Sequence, residues 1–412
     1  MHPMRVAFLE STGEMGGAEH VLLALLEGFS RDEVQSYLVC PKEGELTARA
    51  ARAHIRTIIL PIPTFASVSV LWGNHKVVNP FAVIYDVALI VLAAIRTARR
   101  LRREQVEIIH TNTFFAHLYG GIAASLLGVP CVWHVHDLVD TRRFGGLVAW
   151  LWRQLGDALA THIVGCSKAV IENFANLNKR STIYVGIEAK PDAAKDWEGW
   201  HTKLKLAPRT VLVGYLGRIV WLKGLDLLAR AAKQVVAKDD SIHFVVIGKP
   251  LFGESGYADR VEAQIRKAGL TEHWHVIGYV PDAYQYLGDL DLIVVPSRRE
   301  PFGRVALEAG LASKAVVAAA VGGIPEIIEP SVSGILVPVD AHGNINVVAL
   351  SDAIVSLAND AKQRKFLGSE LNKRVLTEFG LEPSISRFIG LYRSILNVAS
   401  PAVRAQSPQN VC

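Results

Sequence analysis

Short apolar runs rich in Val, Ile and Leu alternate along the chain with longer stretches whose apolar positions recur every three or four residues. The first pattern belongs to strands buried on both faces, the second to amphipathic helices. Strands are predicted near 5–9, 35–40, 56–60, 108–111, 131–136 and 162–166, and again near 211–216, 242–247, 274–277, 291–296, 315–319 and 335–337. Such alternation builds βαβ units and parallel sheets. Between the two sets lies "GIEAKPDAAKDWEGWHTKLKLAPRT" (186–210), polar, with two prolines and no strand pattern. The expected fold class is therefore α/β, with two doubly wound, Rossmann-like domains. The N-terminal domain takes residues 1–186, a linker 187–209 and the C-terminal domain 210–382. A helix over 383–400 is expected to pack back on the N-terminal domain, and 401–412 reads as a loose tail.

A chain of 412 residues, half of them hydrophobic, is too large for one core, which agrees with two domains. The net charge of +5 is mild, and no dense basic face alternates with exposed aromatics, so no nucleic-acid partner is expected. Cys40, Cys131, Cys166 and Cys412 form no CxxC pair; this argues against a zinc ribbon or a disulfide framework and for a reducing, cytoplasmic compartment. "MHPMRVAFLE" reads as a first strand and not as a signal peptide. "PFAVIYDVALIVLAAI" (80–95) is interrupted by Asp86 and falls short of the ~20 apolar residues of a membrane span, so a core helix is expected there. It runs into "IRTARRLRR" (95–103), whose five arginines suit anionic headgroups, and "RRFGGLVAWLW" (142–152) offers aromatics and cations for an interface. Peripheral contact with the inner face of an anionic membrane is one reading of these segments. A dipole-favoured basic helix end and core tryptophans are the other.

Ligands of open α/β sheets bind beyond the carboxyl ends of strands. "GYLGRIVWLKG" (214–224) follows a strand and carries Arg218 and Lys223, which suit a diphosphate or are simply solvated loop cations. "REPFGRVALEAG" (299–310) leaves the next buried run with Glu300 at the mouth of a helix that is predicted to begin near Phe302. The N–H groups of Phe302, Gly303 and Arg304 would face an anion there, with Glu308 ~9 Å further along the axis. A nucleotide sugar has this layout: sugar hydroxyls at one end, ribose hydroxyls at the other, phosphates between. In "GEMGGAEH" (13–20), Gly16 and Gly17 let backbone N–H groups approach an anion or merely form a tight turn; no GxGxxG dinucleotide pattern is present. His134 and His136 share one face of a strand and His110 ends a neighbouring one, yet no third ligand of suitable spacing makes a metal site. His110 and His134 are expected to satisfy strand-end backbone groups. Asp289-Leu290-Asp291 has the D-x-D pattern of metal-dependent transferases but precedes its strand, and is read as structural.

Taken in order, "STGEMGGAEHVLLALLEGF" (11–29), "GRIVWLKG" (217–224), Glu300 with Glu308, and "VGGIPEII" (321–328) resemble the motifs of the retaining glycosyltransferases of family 4, over roughly residues 4 to 395. The resemblance implies the glycosyltransferase-B architecture, two such domains facing across a cleft. It implies a metal-independent hexosyltransferase with no cofactor, which uses a nucleoside-diphosphate sugar donor and a glycan, lipid-linked or small-molecule acceptor. It assigns Arg218 and Lys223 to the departing diphosphate, Glu308 to the ribose and Glu300 to the sugar. Gly16 or Gly17 would touch the diphosphate, and His136 would hydrogen-bond a sugar hydroxyl. The chain departs from the family at the hinge, where "VGIE" (185–188) lacks the usual Asn, and "PIPTFASVSVLWGNHKVVNP" (61–80) matches no motif. A nucleotide-sugar epimerase of the same fold, or a non-catalytic two-lobed ligand-binding protein, are the alternatives.

Overall fold

The structure, a computed structural model, describes residues 2–62, 69–72, 75–139, 141–172, 174–188, 198–250, 255–280 and 283–403. The chain divides into two compact units, one from residues 1–186 with 381–412, the other from 187–380.

The first unit holds β1 (Met4–Leu9), α1 (Gly17–Gly28), β2 (Val34–Cys40), α2 (Glu45–Arg52), β3 (Arg56–Ile59), β4 (Ser69–Trp72), β5 (His75–Val78) and α3 (Pro80–Arg103). It continues with β6 (Ile108–Thr111), α4 (Phe114–Leu127), β7 (Cys131–Val135), α5 (Thr141–Leu159), β8 (His162–Gly165), α6 (Lys168–Ile171) and β9 (Arg180–Thr182). The second unit holds α7 (Trp200–Leu204), β10 (Val211–Leu216), α8 (Leu225–Lys238), β11 (Ile242–Ile247), α9 (Ser255–Lys267), β12 (Trp274–Gly278) and β13 (Leu292–Val295). After it come α10 (Arg304–Leu311), β14 (Ala315–Ala319), α11 (Ile324–Ile327), β15 (Ile335–Val337), α12 (Val347–Asn359) and α13 (Ala361–Glu378); α14 (Leu381–Val403) returns to the first unit.

Seven strands form the first sheet in the order β3-β2-β1-β6-β7-β8-β9, and six form the second in the order β12-β11-β10-β13-β14-β15. Every pairing within them is parallel. Each of the twelve expected strands is present, the central ones because parallel strands buried on both faces read as continuous apolar runs. The short edge strand β9 and the antiparallel pair β4–β5, inside the stretch that matched no motif, were not anticipated. In each sheet the strand order reverses beside the first strand of the unit, between β1 and β6 and between β10 and β13. These switch points leave a crevice beyond the carboxyl ends of the strands.

Part of the expected linker is built into the second unit. Ile187 donates its N–H to the Phe379 carbonyl (2.9 Å). Trp200 is fully buried, with its indole N–H on the Tyr286 carbonyl (3.0 Å). Residues 189–197 lie outside the described residues. In the first unit, α14 inserts Phe388 and Tyr392 into the core, and the Tyr392 hydroxyl meets His110 Nδ1 at 2.7 Å.

The expectation of a core helix over 80–95 needs correction. The helix α3 forms for good local reasons: the Asn79 side chain accepts from the N–H groups of Phe81 and Ala82, Pro80 takes the first turn, and arginines fill the last. It packs along α4, however, and the side it buries is made of Ala82, Leu89, Ala93, Ala94, Ala98 and Leu101. Many of its large side chains point outward: Phe81 is 80% exposed and Ile84 67%.

Candidate functional site

At the switch point of the second unit, the loop after β10 meets the segment after β13. Gly224 closes the first loop in the left-handed region (φ 69°), and a Cβ there would lie 2.0 Å from the Pro296 carbonyl oxygen. That close approach sets Lys223 against the second segment. Lys223 Nζ contacts Glu300 Oε2 at 2.6 Å, and Ser297 donates its hydroxyl to the same oxygen at 3.2 Å. Glu300 is buried. Arg218 is exposed and makes no ion pair among the described residues.

Four residues that the sequence reading did not single out hold this loop. Arg298 is buried and grips Asp226 with two guanidinium nitrogens, each 2.7 Å from a carboxylate oxygen. It also donates to the Trp221 carbonyl (2.9 Å) and stacks over the Trp221 ring (4.5 Å). The Tyr257 hydroxyl donates to Asp226 at 2.6 Å. Burial raises the Asp226 carboxyl, but hydrogen bonds from Arg298 and Tyr257 outweigh it and hold the group below its ordinary range. The available signal was "PSRRE" at the end of a buried run, which places a cation where backbone carbonyls need one.

The helix after Glu300 starts at Arg304, two residues later than expected. Glu308 therefore stands one turn into the helix, about 6 Å along the axis, and Arg304 Nε pairs with it at 2.9 Å. Gly303 precedes α10 with φ 119°, and the N–H groups of the first turn point toward the loop mouth. The side chain of Phe302 is buried 5.8 Å from the Phe379 ring, so only its backbone can serve a ligand. Behind this segment lies the turn at 321–328. Gly323 donates its N–H to the Glu300 carbonyl (3.1 Å), and a Cβ there would stand 2.7 Å from Phe302 Cα. Asp291 of the D-x-D triplet accepts from the Leu212 N–H (2.8 Å) and from Arg364 (3.0 Å), a structural use at the far end of the sheet.

In the first unit, Gly16 precedes α1 and Gly17 opens it, with no atom within 4 Å of where a Cβ on Gly17 would lie. A Cβ on Gly16 would press on the Glu19 carboxylate at 2.6 Å. Ser11 N–H on Thr113 Oγ1 (3.0 Å) ties the β1 loop to the β6 loop. Below it Glu10 is fully buried. Burial raises its carboxyl to about 8, helped by the charge of Glu19, against weaker opposing pulls from Asn112, Thr113 and the Ser11 backbone. His136 follows β7 with its ring 4.0 Å from that of His134 and its Nε2 enclosed without a hydrogen-bond partner among the described residues. Burial lowers it to about 4, which keeps the imidazole neutral. The expectation for its neighbours is corrected. His110 bonds the side chains of Tyr392 and Asn112, not strand-end backbone, and neither ring nitrogen of His134 has a hydrogen-bond partner among the described residues. Among those residues no three His, Cys, Asp or Glu side chains are grouped to share a metal ion.

Two doubly wound parallel units, each with polar side chains gathered at its switch point, define the glycosyltransferase-B fold class. Residues 15–190 match the Glycosyltransferase Family 4 profile and residues 197–374 that of Glycosyl transferases group 1. The chain belongs to this group 1/family 4 glycosyltransferase family. It is 29% identical over 286 residues to the D-inositol 3-phosphate glycosyltransferase of Rhodococcus opacus, covering 65% of this chain and 63% of that protein. It is 32% identical over 189 residues to the lipopolysaccharide core biosynthesis mannosyltransferase LpcC of Rhizobium leguminosarum, covering 46% and 52%. The chain thus spans less than two thirds of the length of these curated relatives. The fold matches Anabaena HepE, solved in complex with UDP and glucose (TM-score 0.79, 23% identity, 95% of this chain and 100% of that one). It also matches the sucrose-phosphate synthase of Thermosynechococcus elongatus (TM-score 0.76, 20% identity, 96% and 100%).

Proposed function

We propose that the protein is a retaining, metal-independent glycosyltransferase that moves a hexose from a nucleoside-diphosphate sugar to an acceptor hydroxyl. The observation that carries this reading is the Lys223–Glu300 contact of 2.6 Å at the β10–β13 switch point, directly before the first turn of α10. A cation, a carboxylate and free helix N–H groups in one crevice suit a diphosphate that carries a sugar. The family membership and the UDP-bound state of HepE support a nucleotide ligand.

In this reading Arg218, Lys223 and the α10 amides stabilise the charge that grows on the leaving diphosphate. Glu308 accepts from ribose hydroxyls. Glu300, already held by Lys223 and Ser297, orients the hexose and does not attack it. The acceptor oxygen bonds to the anomeric carbon on the face from which the diphosphate departs, and the acceptor proton passes to a leaving phosphate oxygen. For the first unit, the family resemblance assigns His136 to a sugar hydroxyl and the backbone of Gly16 or Gly17 to a phosphate oxygen. The acceptor is a glycan, a lipid-linked sugar or a small polyol.

Thermal unfolding against UDP, GDP, ADP and their sugars tests the donor, since a ligand selective for the native state raises the midpoint. NMR of the product then gives the anomeric configuration. One nucleotide series should stabilise the protein, and the product should keep the donor's configuration. Inversion overturns the retaining assignment; an epimerised nucleotide sugar formed without acceptor overturns the transferase.

A further inference from the structure

The outer side of α3 is the reverse of what a helix on a water-exposed face should present. Positions 81, 84, 85, 88, 91 and 92 fall on one stripe at helical spacing, and the stripe reads Phe, Ile, Tyr, Ala, Val, Leu. It covers about 16 Å of axis. The same stripe continues through Arg99, Arg102 and Arg103, all exposed and without an ion pair among the described residues. Glu104, the nearest carboxylate at this end, is taken by Arg56 and Arg100. The helix α5 packs against α4 as α3 does, and it too exposes large apolar side chains, Leu147 (69%), Trp150 (53%) and Leu151. Buried large residues and exposed polar ones would be normal. Here four alanines and two leucines of α3 are inside, and the exposed apolar stripe of the helix ends in arginines that no carboxylate pairs among the described residues.

We propose that the outward faces of α3 and α5 form a docking surface for an anionic lipid bilayer. The apolar stripe enters the acyl boundary with the Phe81 end deepest, and Arg99, Arg102 and Arg103 meet anionic headgroups. Charge complementarity selects this occupant, since a purely apolar partner would leave Arg99, Arg102 and Arg103 without an anion; Arg102 has only the Leu126 carbonyl, at 3.3 Å. The segment Phe81–Arg103 is also long and apolar enough to cross a membrane. Its packing along α4, with Leu89, Ala93, Ala98 and Leu101 buried, favours a helix that lies in the interface.

The test is flotation of the full chain with vesicles of phosphatidylcholine alone or with phosphatidylglycerol added. The wild type should float with anionic vesicles. Arg99→Gln, Arg102→Gln and Arg103→Gln together should weaken that binding roughly 100-fold at low salt. Ile84→Glu with Trp150→Glu should abolish flotation at any salt, and the milder Ile84→Ser with Trp150→Ser should reduce it. Unchanged unfolding midpoints show that these surface variants fold. Failure of the wild type to float, or flotation by the apolar variants equal to wild type, overturns the proposal. So does a vesicle-free dimer that Ile84→Glu dissociates, which would assign the face to a second copy of the chain. Resistance to alkaline carbonate extraction would assign α3 to a span instead. None of these outcomes depends on which reaction the protein catalyses.

Discussion

Lys223 and Glu300 are separated by 77 residues in the chain and by 2.6 Å in space. Both side chains are largely withdrawn from solvent, so their attraction is little screened. Arg304 with Glu308 and Arg298 with Asp226 repeat the arrangement around the same loops. Neighbouring carboxylates neutralise these cations, and the proposed diphosphate would share Lys223 with Glu300.

Lys223→Ala should lower turnover by ~10²-fold or more, because it removes charge stabilisation that grows in the transition state. Lys223→Ala combined with Glu300→Gln should cost less than the sum of the two, since each single change already breaks the pair. Steady-state kinetics of the cycle checks this. EDTA should leave turnover unchanged; a loss that magnesium or manganese restores would show that the protein's own cations are insufficient.

Glu308→Gln should weaken nucleotide binding by about 1–3 kcal/mol and narrow the preference for ribo- over deoxyribonucleotides. Calorimetry with both nucleotide series measures it. Equal affinity and equal preference in the variant would leave Glu308 only its ion pair with Arg304.

Asp226→Asn should destabilise the second unit by about 3 kcal/mol, since it leaves the buried Arg298 without its anion. The Asp226 carboxyl is held below its ordinary range, so its contribution is present above the unfolded value near 4 and is lost as pH falls through the lower folded value. Unfolding midpoints should therefore separate wild type from variant at neutral pH and converge in acid. Midpoints that differ equally at every pH would contradict the ion pair's role.

Glu10→Gln should act in the opposite sense. The folded carboxyl keeps its proton to about 8 while the unfolded one loses it near 4.5, so wild-type stability falls as pH rises between those values. The amide has no proton to lose, and the variant should gain on wild type from pH 5 to 8, by about 2 kcal/mol or more at the upper end. The neutral histidines His110 and His136 pull the other way below pH 6.5 in both proteins, and cancel in the difference. Parallel pH–stability curves for the two proteins would refute the buried, protonated state of Glu10.

The sequence by itself determined where twelve of the described strands lie and that helices alternate with them, because a strand buried on both faces is a continuous apolar run and a helix repeats every three to four residues. It also placed Arg218, Lys223 and Glu300 at strand ends, where βαβ geometry puts ligands, and Glu308 in the helix that follows. Tertiary structure alone decided the strand order that brings β10 beside β13, and with it the pairing of Lys223 with Glu300 and of Arg298 with Asp226. Such pairs arise from chain crossings that no local period records. The direction in which α3 faces belongs to the same class. Its periodicity identifies a helix with apolar residues on both sides, but only its packing along α4, which buries Ala82, Leu89, Ala93, Ala94, Ala98 and Leu101, decides that Phe81 and Ile84 face outward.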